Sequence, residues 1–189
     1  MDVNDLKSLN AAIKLRMDSA IEHVRKELAG LRTGRASVNL LDPVHVDAYG
    51  ASMPLNQVAS LSVPEPTLII ATPFDPSLMS AIERAIQKAN LGLNPSSDGK
   101  VIRVPIPSLT EERRKEMSRL VHKYAEEARN AVRQVRRDAN DRLKKLLKDH
   151  LISEDDERRA LDDVQKITDQ HVSMIDEIQK KKDTELLGK

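Results

Sequence analysis

Residues 108–184 contain neither proline nor glycine. Proline removes a backbone hydrogen bond from a helix interior and glycine weakens one by about 1 kcal/mol, so their absence over this length favours helix. The apolar residues of the first half recur every three or four positions: Met117, Val121, Tyr124, Ala128, Ala131, Val135, Ala139, Leu143 and Leu146. This spacing predicts one helix of about 40 residues, roughly 60 Å long, with a single apolar stripe.

Ser153 and Asp156 divide this region in two, because a serine followed three residues later by an acid is typical of a capping box. We therefore expect the first helix to begin at Ser108 or Thr110, a short connection at residues 149–152, and a last helix after Ser153. The last helix carries the stripe Leu161, Val164, Ile167, His171, Ile175 and Ile178. Its three lysines at 180–182 suit the negative end of a helix dipole, so we expect the C-terminus near them.

The N-terminal segment has the same helical spacing, in Leu6, Leu9, Ile13, Met17, Ala20, Val24, Leu28 and Leu31. Gly30 and Gly34 are predicted to end it. Long amphipathic helices are stable only when their stripes pack on one another, so the three helices predict a bundle. The short connection makes the last two antiparallel.

Residues 38–104 differ in composition, and all nine prolines lie between Pro43 and Pro107. Short apolar blocks at 44–46, 58–63, 68–71 and 101–104 predict strands. A helical stripe from Ser77 to Ala89 predicts one helix, which Asp75 or Ser77 would cap, and residues 90–95 predict a turn. The sequence thus predicts an α+β fold: a three-helix bundle of residues 1–30 and 106–189, with a small β/α/β domain of residues 31–105 inserted into it.

Charge is uneven along the chain. Residues 106–150 carry thirteen bases and eight acids, while residues 151–189 carry seven and eleven. On a helical wheel, Arg129, Arg133, Arg137, Arg119 and Lys144 fall within about 80°, and Arg136 lies at the edge of this arc. Arginine forms paired hydrogen bonds with phosphates, so the arc indicates RNA binding, although Glu126 interrupts it. The alternative is a solvated face with ion pairs between neighbouring turns.

Catalytic and metal chemistry find little support in the residues. The chain has no cysteine, and none of its five histidines is spaced to pair with another on one helical turn. The glycines at 92 and 99 precede Lys100, but they have the wrong spacing for a phosphate-binding loop. The N-terminal residues lack a signal-peptide pattern, and the apolar runs fall far short of the roughly 20 residues of a membrane span. We expect a cytoplasmic protein without a cofactor.

Five blocks of the sequence resemble the bacterial ribosome recycling factor family, in its order and over essentially its full length. They are Arg32-Thr33-Gly34-Arg35-Ala36-Ser37, Leu91-Gly92-Leu93-Asn94-Pro95, Ile102-Arg103-Val104-Pro105, Leu109-Thr110-Glu111-Glu112-Arg113-Arg114-Lys115 and Val135-Arg136-Arg137-Asp138-Ala139-Asn140. One departure is Ala48, where a second aromatic residue is expected beside Tyr49.

The resemblance implies an L-shaped molecule of two domains joined by a hinge. It implies a factor that, with elongation factor G and GTP, splits the post-termination ribosome into subunits and releases mRNA and tRNA. The implied partners are that factor and the ribosomal RNA of the large subunit, with no membrane or DNA partner, and the chain is expected to be a monomer. The resemblance implies that Arg129 and Arg133 bind rRNA, and we expect Arg136 and Arg137 to extend the same surface.

The resemblance also implies that the hinge lies where the chain crosses between the domains, at residues 30–36 and 104–107. The hinge residues are then Arg32, Thr33, Gly34, Arg35, Val104, Pro105, Ile106 and Pro107. As alternatives, Gly34 permits a tight turn and Pro105 only ends a strand.

Two other classes of function stay open. A helical scaffold with protein partners only would explain the apolar stripes, but not the arginine arc. An enzyme has no supporting cluster of residues.

Overall fold

A computed structural model describes residues 3–187. Within them the helices are α1 (Leu6–Ala29), α2 (Leu55–Val58), α3 (Met79–Lys88), α4 (Glu111–Lys148) and α5 (Glu154–Leu187). The strands are β1 (His45–Ala48), β2 (Ala51–Pro54), β3 (Ala59–Glu65), β4 (Leu68–Pro73), β5 (Ser96–Ser97) and β6 (Ile102–Pro105). Short 3-10 turns occupy Val38–Leu41 and Pro76–Leu78. The chain forms two compact units, one of residues 34–110 and one of the segments on either side of it.

Helices α1, α4 and α5 pack on one another as a three-helix bundle, as predicted. Arg129 of α4 contacts Asp176 of α5, whereas Arg136, seven residues later in α4, contacts Gln165, which comes earlier in α5. These two helices are therefore antiparallel. The ion pair of Arg16 with Asp138, 2.8 Å long, connects α1 to α4.

The buried stripe of α4 differs in detail from the predicted one. Ala131 is exposed, whereas Ala125 and Val132 are buried and Tyr124 is only partly so. A buried stripe on a helix can continue after three or after four residues. After Ala128 it continues at Val132 and not at Ala131, because valine buries more apolar surface than alanine.

Helix α5 also extends further than predicted. It continues to Leu187, and Leu186 is buried, so Lys180, Lys181 and Lys182 lie inside the helix rather than at its end. The burial of Leu186 stabilises the longer helix more than the three lysines would stabilise a helix that ended beside them.

The helix starts agree better with the sequence. The Asp156 backbone N–H donates to Ser153 Oγ at 3.1 Å, and the Ser153 N–H donates to Asp156 Oδ2 at 3.2 Å. This confirms the predicted capping box of α5. Asp5 caps α1 in a similar way, accepting from the Ser8 N–H at 2.8 Å.

The inserted unit contains a hairpin of β1 and β2 and a four-stranded antiparallel sheet in the order β3-β4-β6-β5. Its buried core includes residues of the first 3-10 turn, of both sheets and of α3, namely Leu41, Val46, Ile69, Ile82 and Ile102. Asp75 caps the turn that leads into α3, with the Ser77 N–H donating to it at 2.9 Å. The β-containing inserted unit and its helix were thus predicted correctly.

Three of its elements were not predicted. Helix α2 includes Val58, which was expected to begin a strand; β2 and β5 lacked a signal because β2 has little apolar alternation and β5 consists of two serines. Such short elements form because neighbouring strands offer partners, which local propensity does not record.

Candidate RNA-binding face

The predicted arginines lie along the middle of α4, and we call Arg129, Arg133, Arg136 and Arg137 the basic face. The apolar stripe of the same helix, with Val132 and Val135, turns into the bundle and fixes which side of α4 meets solvent. Arg119 and Lys144 extend the basic face and are exposed, and neither has an ion pair within residues 3–187.

Arg129 is the most enclosed of the four, with 16% of its side chain exposed. Its Nε and Nη2 donate to Asp176 Oδ1 at 2.9 and 2.6 Å, and its Nη1 donates to Glu126 Oε2 at 3.1 Å. A further hydrogen bond reaches Gln179 Oε1. Burial disfavours the charged guanidinium, but the bonds to Asp176 and Glu126 outweigh it and raise the pKa of Arg129.

Arg133 lies one turn further on and is 42% exposed. Its Nη1 donates to Glu126 Oε1 at 3.1 Å. Glu126 is thus shared by two guanidinium groups, and the hydrogen bonds from Arg129 and Arg133 lower its pKa. The acid that interrupts the basic arc in the sequence therefore orders two of its arginines.

Within residues 3–187, the side-chain hydrogen bonds of Arg136 and Arg137 go to neutral amides. Arg136 Nη1 donates to Gln165 Oε1 at 3.4 Å, and Arg137 donates to Gln134 Oε1 through Nε at 3.2 Å and Nη2 at 2.7 Å. A phosphate binds a guanidinium more strongly than a neutral amide does. These two residues can therefore exchange their present acceptors for an anion at little cost.

The sequence analysis identified Glu126 only as an interruption of the arc, and it missed the other residues that organise this face. Glu126 and Gln134 lie three residues before Arg129 and Arg137, a spacing that could have revealed them. Asp176, Gln179 and Gln165 come from α5, and no local signal shows which residues of α5 face α4.

The predicted hinge residues fall into two groups. Arg32, Thr33, Gly34 and Arg35 belong to no helix or strand, and neither does Pro107. Val104 and Pro105, however, are paired with Ile69 and Leu68 inside the sheet. The Ile106 N–H donates to Thr67 O at 2.7 Å.

The Ala36 N–H donates to Pro66 O at 2.6 Å, next to the carbonyl that accepts from Ile106. Both crossings are therefore fastened to the turn between β3 and β4. Segments outside every helix and strand remain at 31–35 and at 107–110.

No group of histidines and carboxylates within residues 3–187 could hold a metal ion. None of the helices there is both long and apolar enough to cross a bilayer.

Comparison with known proteins gives consistent results. The family model for "Ribosome recycling factor" matches residues 24–187. A ribosome-recycling factor of Rhodospirillum centenum is 57% identical over 183 residues, covering 97% of both chains. One from Shouchella clausii is 55% identical over 181 residues, covering 96% of this chain and 98% of its own.

Solved structures agree with these relatives. A solution structure of a ribosome recycling factor is 41% identical with a TM-score of 0.77, and the match covers 99% of this chain and 100% of that one. The T. thermophilus factor, described together with E. coli elongation factor G on the E. coli post-termination complex, is 46% identical with a TM-score of 0.65. That match covers 96% of this chain and 98% of the other.

A helical bundle with an inserted β/α/β unit, matched over nearly its full length by solved ribosome recycling factors, defines a factor of translation. The chain belongs to the ribosome recycling factor family. It is a non-enzymatic translation factor, and ribosome recycling is its function.

Proposed function

We propose that this chain binds the RNA of the large ribosomal subunit through its basic face. The observation that carries the proposal is the state of three arginines: Arg136 and Arg137 are held by neutral amides, and Arg133 shares one exposed carboxylate. Their guanidinium groups are ordered and solvent-accessible, which lowers the entropy cost of binding a phosphate.

Arg129 has a different part in this proposal. Two carboxylates and an amide occupy four of its five N–H groups, so a paired contact with a phosphate requires giving up an existing bond. Its main contribution is to hold Glu126 and Asp176, and with them the surface from which Arg133 projects.

Binding to purified large subunits at several salt concentrations tests this assignment. Loss of one phosphate contact lowers affinity and reduces the salt dependence by about one unit in the slope of log K against log salt. We expect this result for Arg133→Ala. The matched control is Arg158→Ala, which removes an exposed arginine of α5 whose ion pair with Asp155 is local. Equal slopes for the wild type and Arg133→Ala would refute the contact.

We further propose that the chain acts in the cytoplasm. Together with elongation factor G and GTP, it splits the post-termination ribosome and frees mRNA and tRNA. The family membership and the relative described with that factor support this. Polysome breakdown should then require all three components. Breakdown by elongation factor G and GTP without this chain would contradict the proposal.

The hinge belongs to the same proposal. We place flexibility at residues 31–35 and 107–110, because the sheet holds Val104 and Pro105, and Thr67 holds Ile106. A force on the inserted unit would reach the bundle through these two short segments, since no other part of the chain joins the two units.

Lengthening both crossings tests the transmission. Two extra glycines after Thr33 and two after Pro107 should leave subunit binding nearly unchanged, because the basic face is intact, and should slow splitting at least tenfold. The same insertion after Gly99, in an exposed turn of the inserted unit, is the control. If the double insertion leaves the rate of ribosome splitting unchanged, the two connecting segments do not transmit the force.

A further inference from the structure

The inserted unit has a groove that is separate from the basic face of α4. It lies between β1 and α3, has a volume of about 410 Å³ and is lined by Pro43, His45, Asp47, Ala81, Arg84, Ala85, Lys88 and Ala89. The Tyr49 hydroxyl donates to Asp75 at 2.8 Å, which ties the end of β1 to the start of the α3 region. The C-terminal end of β1 thus lies near the start of α3, and the groove lies between these two elements.

One wall of the groove is an open strand edge. Strand β1 pairs with β2 alone among the described strands. The Leu55 N–H donates to Val44 O, so alternate residues of this strand turn their backbone groups toward β2. His45 and Asp47 consequently direct theirs away from it. Pro54, opposite His45, has no N–H to offer, which agrees with this register.

The other wall is low and positively charged. Ala81, Ala85 and Ala89 follow one another at four-residue steps and leave room for a backbone to approach. Arg84 and Lys88 are exposed beside them, and neither has an ion pair with any residue of 3–187. Asp47 is the one acid in the lining.

The spacings of the two walls match. Arg84 and Lys88 are one helical turn apart, about 6 Å along the axis. Alternate residues of an extended chain are about 6.8 Å apart and point to the same side. An extended segment can therefore place a carboxylate near each cation while its backbone faces the open edge of β1.

We propose that this groove docks an extended segment of a partner protein with acidic side chains at alternate positions. The open edge supplies backbone hydrogen bonds, and Arg84 and Lys88 select the acids. Asp47 repels the acidic side chains of the segment and keeps the affinity low, which suits a contact that forms and breaks in each round of ribosome recycling. This inference is independent of the basic face, because every residue it uses lies in the inserted unit.

The test is a titration of the full-length, isotope-labelled chain followed by NMR. The probe is an acetylated, amidated peptide with the alternating sequence Glu-Thr-Glu-Thr-Glu-Thr-Glu. Its control, Glu-Glu-Thr-Thr-Glu-Glu-Thr, has the same composition, but none of its glutamates is two residues away from another. We expect shifts at His45, Asp47, Arg84 and Lys88 with the alternating peptide, and at least threefold weaker binding of the control, since an extended control peptide cannot place acids beside both cations at once.

Variants separate the groove from general charge attraction. Arg84→Glu with Lys88→Glu should weaken binding at least tenfold, and Asp47→Asn should strengthen it two- to threefold. Lys100→Glu reverses the charge of one residue outside the groove lining and should change the affinity for the alternating peptide less than twofold.

Three outcomes would overturn the proposal. Equal affinity for the two peptides would show that the groove responds to the charge of the segment and not to the spacing of its acids. Absence of shifts along the groove would show that it does not dock such a segment. Stronger perturbation of the same residues by a single-stranded uridine 12-mer would assign the groove to nucleic acid instead. Large-subunit binding should be unchanged in the groove variants, so failure here is distinguishable from failure of the basic face.

Discussion

The bundle and the inserted unit fix the alignment of their elements by different means. In the described chain, the buried polar residues, Thr168 and His171, are both in the bundle. By contrast, six of the seven residues with positive φ belong to the inserted unit: Gly34, Tyr49, Gly50, Asn90, Gly92 and Gly99. Side chains set the alignment in one unit, and backbone turns set it in the other.

His171 shows how the bundle does so. It is 4% exposed, its Nδ1 contacts Ile167 O at 2.7 Å, and its Nε2 contacts Asp18 Oδ1 of α1 at 2.8 Å. Apolar stripes alone tolerate sliding of one helix along another. A buried polar side chain with one partner on the neighbouring helix penalises every other alignment.

The inserted unit needs no such device. Its strands align through backbone ladders, and hairpin turns fix the register of those ladders. Tyr49 and Gly50 have φ of 53° and 76° and form the two-residue turn between β1 and β2. The core beneath can then be entirely apolar.

The largest effect is expected for His171→Ala. The change creates a cavity and leaves Asp18 without its partner, so we expect a loss of about 3 kcal/mol. Hydrogen exchange of amides in α1, α5 and β4 measures it. Protection should fall in the two helices and stay constant in the strand. An equal loss in β4 would mean that the two units unfold together and would break the comparison.

A smaller effect is expected for glycines of the inserted unit. Gly34 has φ of 73°, and a Cβ there would lie 3.1 Å from the Leu109 backbone nitrogen, so Gly34→Ala combines strain with crowding and should cost about 2 kcal/mol. Gly50 has φ of 76° and nothing within 4 Å, so Gly50→Ala should cost only about 1 kcal/mol. Exchange in β4 reports both, and similar losses would show that contact with Leu109 is unimportant.

The sequence predicted the bundle more completely than the inserted unit. The reason is again that side-chain patterns define the bundle, whereas backbone pairing between distant strands defines the inserted unit. Helical stripes and caps are local, so the capping box at Ser153 and most of the stripe of α4 could be found directly. The turn at Asn90 and Gly92 was also local and was predicted. Strands β2 and β5 depend on partners elsewhere in the chain.

The basic face shows the same division. Its arginines were visible as an arc on one helix, and Glu126 was visible as an interruption. That Asp176 and Gln179 hold Arg129, while Arg136 meets only Gln165, depends on the alignment of α4 with α5. A helical wheel contains no information about that alignment.

The smallest effect concerns Glu126 and acidic pH. Arg129 and Arg133 hold its pKa below the usual value of 4.5, so the carboxylate stabilises the bundle above that pH. The contribution is lost as the pH falls through the lowered pKa. Urea midpoints of wild type and Glu126→Gln should therefore differ at pH 7 and converge toward pH 3. A constant difference would show that the ion pairs contribute nothing.

The hydrogen bonds of Ala36 and Ile106 to the consecutive carbonyls of Pro66 and Thr67 bring the entry and exit of the inserted unit side by side. A module whose ends meet in this way can be cut out and its parent chain rejoined by a short loop. Such a deletion leaves α1 and α4 linked as an ordinary helical hairpin. The arrangement makes each of the two units a candidate for separate expression.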